Sequence, residues 1–131
     1  MLRSQNEDAW NVVLDSDGTP TGFVVADGMG GHEAGEVASR LAVDVMSETV
    51  RSCTTLHSCL EDAEQLLRDG LDEANRRILE YSRTRLHGLP SGTTLTAAFL
   101  DGPMLLLIHI GDSRAYLYRE NALRQLTRDH T

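Results

Sequence analysis

The chain contains no lysine; all twelve of its basic residues are arginine. A Walker-type phosphate loop must close on Gly-Lys-Ser/Thr, so that mode of nucleotide binding is excluded, and the absence itself reads as a compositional bias. Cysteine is scarce. Cys53 and Cys59 lie six apart with no Cys or His partner at zinc-finger spacing, so neither a disulfide framework nor a structural zinc site is expected. Long apolar runs are missing too, and residues 1–6, Met-Leu-Arg-Ser-Gln-Asn, hold no secretory apolar stretch. With no lipidation motif either, the expectation is a cytoplasmic protein with no membrane partner. Positive charge is the last shortage. Twenty acidic residues against twelve basic ones give a net charge of −8, which argues against a nucleic-acid partner and leaves carboxylates free to collect cations.

What is present is a 131-residue chain, 40% hydrophobic, without internal repeats or low-complexity segments. Its most linker-like stretch, residues 86–90, is too short to divide domains, so residues 1–131 read as a single domain. The chain is organised around residues 24–35, Val-Val-Ala-Asp-Gly-Met-Gly-Gly-His-Glu-Ala-Gly. An apolar run ends in Asp27, three glycines loosen the backbone, and a long amphipathic pattern follows, as when a buried strand delivers a carboxylate to a tight turn. A dinucleotide loop fails on spacing, because Glu33 stands where its third glycine belongs. Asp27 would repel a bare phosphate unless a divalent cation lay between them, so the charge favours a metal. The plain alternative is a strand-to-helix turn with an exposed aspartate.

The first segment carries Glu7 and Asp8 just ahead of a strand in which Trp10, Val12 and Leu14 share a face. Asp15-Ser16-Asp17-Gly18 begins like a calcium loop but lacks the glutamate at its twelfth position, so a hairpin turn is expected. Residues 22–26 are then a core strand antiparallel to the first. Hairpin geometry brings Glu7 and Asp8, at one strand's start, near Asp27, at the other's end, and three converging carboxylates call for a cation. From Glu36 the positions Val37, Leu41, Val45 and Thr49, flanked by Ala38, Ala42, Met46 and Val50, predict a helix packed on a sheet, with Glu33 and Glu36 in its first turn. Ser58 with Glu61 suggests a capping box for a second helix along Leu60, Ala63, Leu67, Leu71, Ala74, Ile78 and Tyr81, slightly weakened by Gly70. Strands are expected at residues 92–100, 104–110, 115–118 and 122–126, with turns at Asp101-Gly102 and Glu120-Asn121. Gly111-Asp112-Ser113-Arg114 sets another carboxylate at a strand end, read either as a ligand or as an ordinary turn with an Asp-Arg pair. His109, inside an apolar strand, is expected to be a hydrogen-bonded core or rim residue.

Five ordered blocks carry a more specific signal: Arg3 with Asn6-Glu7-Asp8; residues 25–32, Val-Ala-Asp-Gly-Met-Gly-Gly-His; Ser91-Gly92-Thr93-Thr94; Gly111-Asp112-Ser113-Arg114; and Leu126-Thr127-Arg128-Asp129-His130. Together they resemble the metal-dependent protein phosphatases of the PPM (type 2C) family, bacterial branch. The resemblance implies an α+β layered fold, a partial antiparallel β-sandwich flanked by two long helices, with a binuclear Mn2+ or Mg2+ centre at one end. Asp27 would bridge the two metals, the Gly28 carbonyl would bind one, Glu7 and Asp8 would hold metal-bound waters, and Asp112 would help hold a third, weaker ion. Arg3 would grip the substrate phosphate, so the implied catalytic residues are Arg3 and Asp27. The implied reaction is hydrolysis of phosphoserine or phosphothreonine on protein substrates by a monomer, through a metal-bridging water that attacks phosphorus in line.

Two departures bear on the transfer. Met29 stands where many eukaryotic members carry a histidine that protonates the leaving group, so His32 or a metal-bound water would have to serve. The blocks also cover only about the first half of the family's domain, so the chain is expected to be a C-terminally incomplete piece with open sheet edges and an exposed apolar face. Such a piece would bind divalent cations weakly and turn over slowly or not at all. The competing functions are a non-catalytic signalling module on the phosphatase fold and a plain α/β domain whose acidic turns only bind cations.

Overall fold

A computed structural model describes residues 6–55 and 59–130 of the chain. The element order is β1 (Asp8–Leu14), β2 (Pro20–Met29), α1 (His32–Thr55), α2 (Leu60–Arg85), β3 (Gly92–Thr93), β4 (Leu95–Asp101), β5 (Met104–Ile110), β6 (Tyr116–Arg119) and β7 (Ala122–Gln125). Strands β1-β2-β4-β5 form one antiparallel sheet in that order, with the two-residue β3 extending the pairing along β2; β6 and β7 form a separate ribbon. This is the expected α+β layering with two long helices.

The β1–β2 hairpin forms where its turn chemistry placed it. Asp15 Oδ1 accepts the N–H groups of Asp17 and Thr19, both at 2.9 Å, so a side chain does the work of a backbone carbonyl in closing the turn. The second ribbon closes through Glu120 and Asn121, which both take positive φ, the conformation that matches the twist of a two-residue hairpin.

Both helices cover one face of the sheet. Val24 and Ala26 from β2, Val13 from β1 and Leu95, Ala97 and Phe99 from β4 meet Ala38, Ala42, Met46, Val50 and Cys53 of α1, with α2 adding Ala63, Leu67 and Ile78. Fully burying one of the larger of these side chains stabilises the fold by roughly 1.5–3 kcal/mol. The core runs mainly along Ala38, Ala42, Met46 and Val50, and Val37 and Leu41 are only half-buried. The helix begins at His32, with Glu33 in its first turn as expected.

Two further expectations are corrected, and one lies outside the described residues. The N-cap of α2 is Cys59, whose side chain makes no capping bond, and the capping box anticipated from Ser58 rests on a residue that is not described. Gly70 is a packing requirement rather than a weakness, because a methyl there would overlap the Thr49 side chain of α1. The β2 run is apolar on both faces, yet only one face is core. Phe23 and Val25 point away from the helices and stay 43% and 46% exposed, and Trp10 beside them reaches 72%. Part of that outer face fronts residues 113–117 and Leu126 across a cleft of about 350 Å³.

Candidate metal centre

The end of β2 places its carboxylate by backbone pairing. Asp8 and Asp27 are register partners across β1 and β2, and Gly28 N–H donates to the Glu7 carbonyl at 3.0 Å. On the other side, Asp27 carbonyl accepts the Thr94 N–H and Asp27 N–H donates to the Thr94 hydroxyl, each at 3.0 Å. The main-chain groups of Asp27 therefore both face Thr94, which makes Asp8–Asp27 a non-hydrogen-bonded pair. Such pairs bring opposing Cα atoms to about 4.5 Å with their side chains closest of all. Both aspartates are exposed and share one face of the strand end. Two carboxylates set directly opposite one another repel, and a cation between them removes the cost.

Glu7 is held differently. Its carboxylate Oε1 is buried against α1, so a methyl on Gly35 would come within 2.6 Å of that oxygen. Gly28 meets the same stretch of helix from below, where a methyl would overlap the Gly35 carbonyl oxygen and lie 2.8 Å from the Glu7 carbonyl. The glycines thus let the strand end, the Glu7 segment and the start of α1 touch backbone to backbone. This is a steric reason for glycine at positions 28 and 35 that the motif alone did not reveal.

Asp112 sits on the turn after β5 and is exposed. It lies outside the β1–β2 pair, and among the described residues no three His, Cys, Asp or Glu side chains group closely enough to hold a metal by themselves. Thr94 ties the two turns together, since its hydroxyl also pairs with Ser113 Oγ at 2.7 Å. The turn is fastened from the C-terminal side as well. Gly111 carbonyl accepts the His130 N–H at 2.8 Å and Gly111 N–H donates to His130 Nδ1 at 3.2 Å, while Ala115 N–H donates to Thr127 Oγ1 at 3.1 Å. Arg114 pairs with Asp129, Nη2 to Oδ2 at 2.8 Å and Nε to Oδ1 at 3.0 Å, and not with Asp112. Those hydrogen bonds hold the Asp129 carboxyl below its ordinary range, helped by its charge interactions with Arg114, His109 and His130, and push the Arg114 guanidinium up. The Asp-Arg pair anticipated within the turn is therefore corrected to one that links the turn to a later segment.

Of the anticipated site residues, Asp8 and Asp27 share one face of the strand end beside Gly28, and Asp112 stands on the neighbouring turn; the expected convergence of three carboxylates is corrected, because Glu7, one residue along from Asp8, turns its carboxylate to Gly35 on the helix side. Arg3 lies outside the described residues. Met29 is 54% exposed at the end of β2. His109 Nδ1 hydrogen-bonds Thr96 Oγ1 at 2.8 Å, as expected of a rim histidine. Sequence reasoning gave no role to Thr94, Ser113, Asp129 or His130, although all four lie in the quoted blocks; their partners are 15 to 67 residues away along the chain.

An antiparallel sheet with two long helices on one face and paired carboxylates at the β2 end defines the class to which the known proteins can be compared. The family model for protein phosphatase 2C matches residues 3–131, and the chain belongs to that family. It is 41% identical over 130 residues to the serine/threonine phosphatase stp of Listeria welshimeri, covering 99% of this chain and 51% of that protein. It is likewise 41% identical over 116 residues to the serine/threonine protein phosphatase PstP of Mycobacterium tuberculosis, covering 83% of this chain and 20% of that one. The crystal structure of the catalytic domain of PstP in complex with two manganese ions superposes with a TM-score of 0.81 at 34% identity, over 98% of this chain and 51% of that one. The chain spans about half the length of the Listeria relative that it matches.

Proposed function

We propose that this chain provides the N-terminal part of a metal-dependent protein serine/threonine phosphatase site. The observation that carries the reading is the Asp8–Asp27 pair, set side by side at a strand end and open to solvent. The donors there are carboxylate and carbonyl oxygens, which suit hard divalent cations such as Mn2+ or Mg2+ that keep several waters and take few protein ligands. Asp27, Glu7, Asp8 and the Gly28 carbonyl would hold two such ions and Asp112 would help hold a third. When bound, the ions supply an activated water and neutralise charge on the phosphoryl oxygens. Asp27 fixes the position of the site through its bonds to Thr94, and Glu7 Oε1 packs close against Gly35 at the start of α1. Arg3 would orient the phosphate of a phosphoserine or phosphothreonine side chain by paired hydrogen bonds. The same reading makes the protein a cytoplasmic monomer acting on phosphorylated proteins; among the described residues no helix is long and apolar enough to cross a membrane. It also takes the domain as continuing in the segment that matches the other half of the relatives.

The test is manganese-dependent hydrolysis of p-nitrophenyl phosphate by this chain and by a version extended to the relatives' length. Asp27→Asn is expected to lower the rate of whichever form is active to below about one hundredth, beyond the usual effect of disturbing a ligand's supporting partners. Full activity in that variant would remove the metal-bridging role, and equal activity of the two lengths would refute the half-domain reading.

A further inference from the structure

Strand 92–100 was expected to run unbroken, and it does not: Thr94 interrupts it between β3 and β4. The register itself is continuous. Val25 pairs with Thr96 and Gly28 with Thr93, which leaves Asp27 opposite Thr94 with no residue inserted. What changes is the identity of one acceptor. Thr94 N–H donates to the Asp27 carbonyl as a regular ladder requires, but Asp27 N–H returns its bond to the Thr94 hydroxyl, where a regular ladder would use the Thr94 carbonyl. That carbonyl is engaged by the neighbouring side chain, accepting from Thr93 Oγ1 at 2.8 Å. The two threonines thus re-route the ladder at the one position where the candidate site carries its principal carboxylate.

The rerouting has a second consequence. A carbonyl oxygen can only accept, whereas a hydroxyl that has accepted the Asp27 N–H still has a proton and a lone pair for another partner. Thr94 spends that capacity on Ser113 Oγ at 2.7 Å, next in sequence to Asp112. Thr94 is 2% exposed, so water does not compete for these bonds. Its methyl group does the remaining work. A methyl on Gly111 would come within 2.6 Å of Thr94 Cγ2, so the Thr94 side chain fills the space that glycine leaves at the start of the Asp112 turn.

We infer that Thr94 is a positioning residue, which sets the Asp27 strand end by substituting its hydroxyl for a ladder carbonyl and couples it through Ser113 to the turn that carries Asp112. The inference rests on the proposed metal site for its functional meaning, but the bridge is a property of the metal-free chain and can be measured there. Thr93 plays the supporting part, occupying the displaced carbonyl so that it is not left unsatisfied.

The experiment is amide hydrogen exchange and amide chemical shift by NMR on the metal-free chain, for the unaltered protein and for Thr94→Val, Thr94→Ser and Ser113→Ala. Thr94→Val keeps the shape and removes the hydroxyl. It is expected to speed exchange at the Asp27 amide about tenfold, the worth of one ordinary hydrogen bond, and to shift the amides of Asp112 and Ser113. Thr94→Ser restores the hydroxyl and should return Asp27 to its original rate, which a merely space-filling role would not do. Ser113→Ala should move the Asp112 amide and leave Asp27 unchanged, and it keeps the inference testable should Thr94→Val fail to fold. Asp27 exchange unaltered in Thr94→Val, or Thr94→Ser behaving as Thr94→Val, or an unmoved Asp112 amide in Ser113→Ala, would each overturn the bridge. A parallel manganese titration should show the half-saturating concentration raised about 10- to 100-fold in Thr94→Val, the usual cost of losing a ligand's supporting partner. An unaltered chain that binds no manganese would instead sink the phosphatase reading, while the exchange data would still decide the role of Thr94.

Discussion

The two strand ends that bear the candidate site's exposed aspartates, Asp27 and Asp112, are built differently. At the end of β2, Asp27 is placed by the β1–β2 register on one side, by the Thr94 N–H and hydroxyl on the other, and by glycines that let three backbone segments touch. At the end of β5, the turn that bears Asp112 is placed largely by side chains, Ser113 to Thr94, Arg114 to Asp129 and the His130 ring to the Gly111 N–H, with one main-chain bond from the His130 N–H to the Gly111 carbonyl. A carboxylate held by backbone contacts has few low-energy ways to move. One held by surface side chains can be loosened without disturbing the sheet. The pair therefore combines a rigid anchor with an adjustable neighbour, and the difference can be broken from either end.

The largest effect is expected at the rigid end. Gly28→Ala drives a methyl into the Gly35 carbonyl, a backbone atom that cannot swing aside. The cost should be about 3 kcal/mol or more, at the upper end of overpacking, and it would be read as a lowered denaturant midpoint. The corresponding change at the other turn should cost less. Gly111→Ala meets the Thr94 side chain rather than a carbonyl, at a φ of +107° that side chains rarely adopt, together about 1–3 kcal/mol. Adding Thr94→Ser, which removes the opposing methyl, should recover part of that loss; no recovery would mean that the strain lies in the backbone alone.

The smallest effect is expected from the Arg114–Asp129 pair, which is surface-accessible. Asp129→Asn should leave the thermal midpoint almost unchanged while speeding amide exchange at residues 111–114, with Asp27 unaffected. Acid should act in the same direction. The Asp129 carboxyl is depressed in the folded state, so the pair's contribution is present above the ordinary aspartate range near pH 4 and is lost as the pH falls through the lower folded value. On α2, Glu73 is held down to about 2 by Arg76 and Arg77 and marks a second window, between its ordinary value of 4.5 and about 2. An acid titration followed by NMR should therefore show both sites losing their pairs only below the ordinary carboxylate range. Loss of either pair near neutrality would contradict the pairing.

Much of the fold was legible because its cues are local. Asp15 to Gly18 spelled a hairpin turn, and an antiparallel hairpin must oppose the start of one strand to the end of the next, which is why Asp8 and Asp27 could be brought together from sequence alone. The helices followed from spacings of three and four. Gly70 was misread because helix propensity speaks only of its own helix, and its reason lies in Thr49 of the neighbouring one. The two apolar faces of β2 were read as core because the strand does not say which face a helix will cover.

By itself, then, the sequence determined the carboxylates, the strand ends that bear them and the family to which their order points, all through short-range rules of turn, period and motif. Only the tertiary structure decided which groups hold those carboxylates. The Thr94 hydroxyl reaches Asp27 across 67 residues and Arg114 reaches Asp129 across 15, and neither bond leaves a trace in local periodicity. The physical reason is that a side chain's partner is chosen by strand register and by the packing of distant segments, which exist only once the chain has folded.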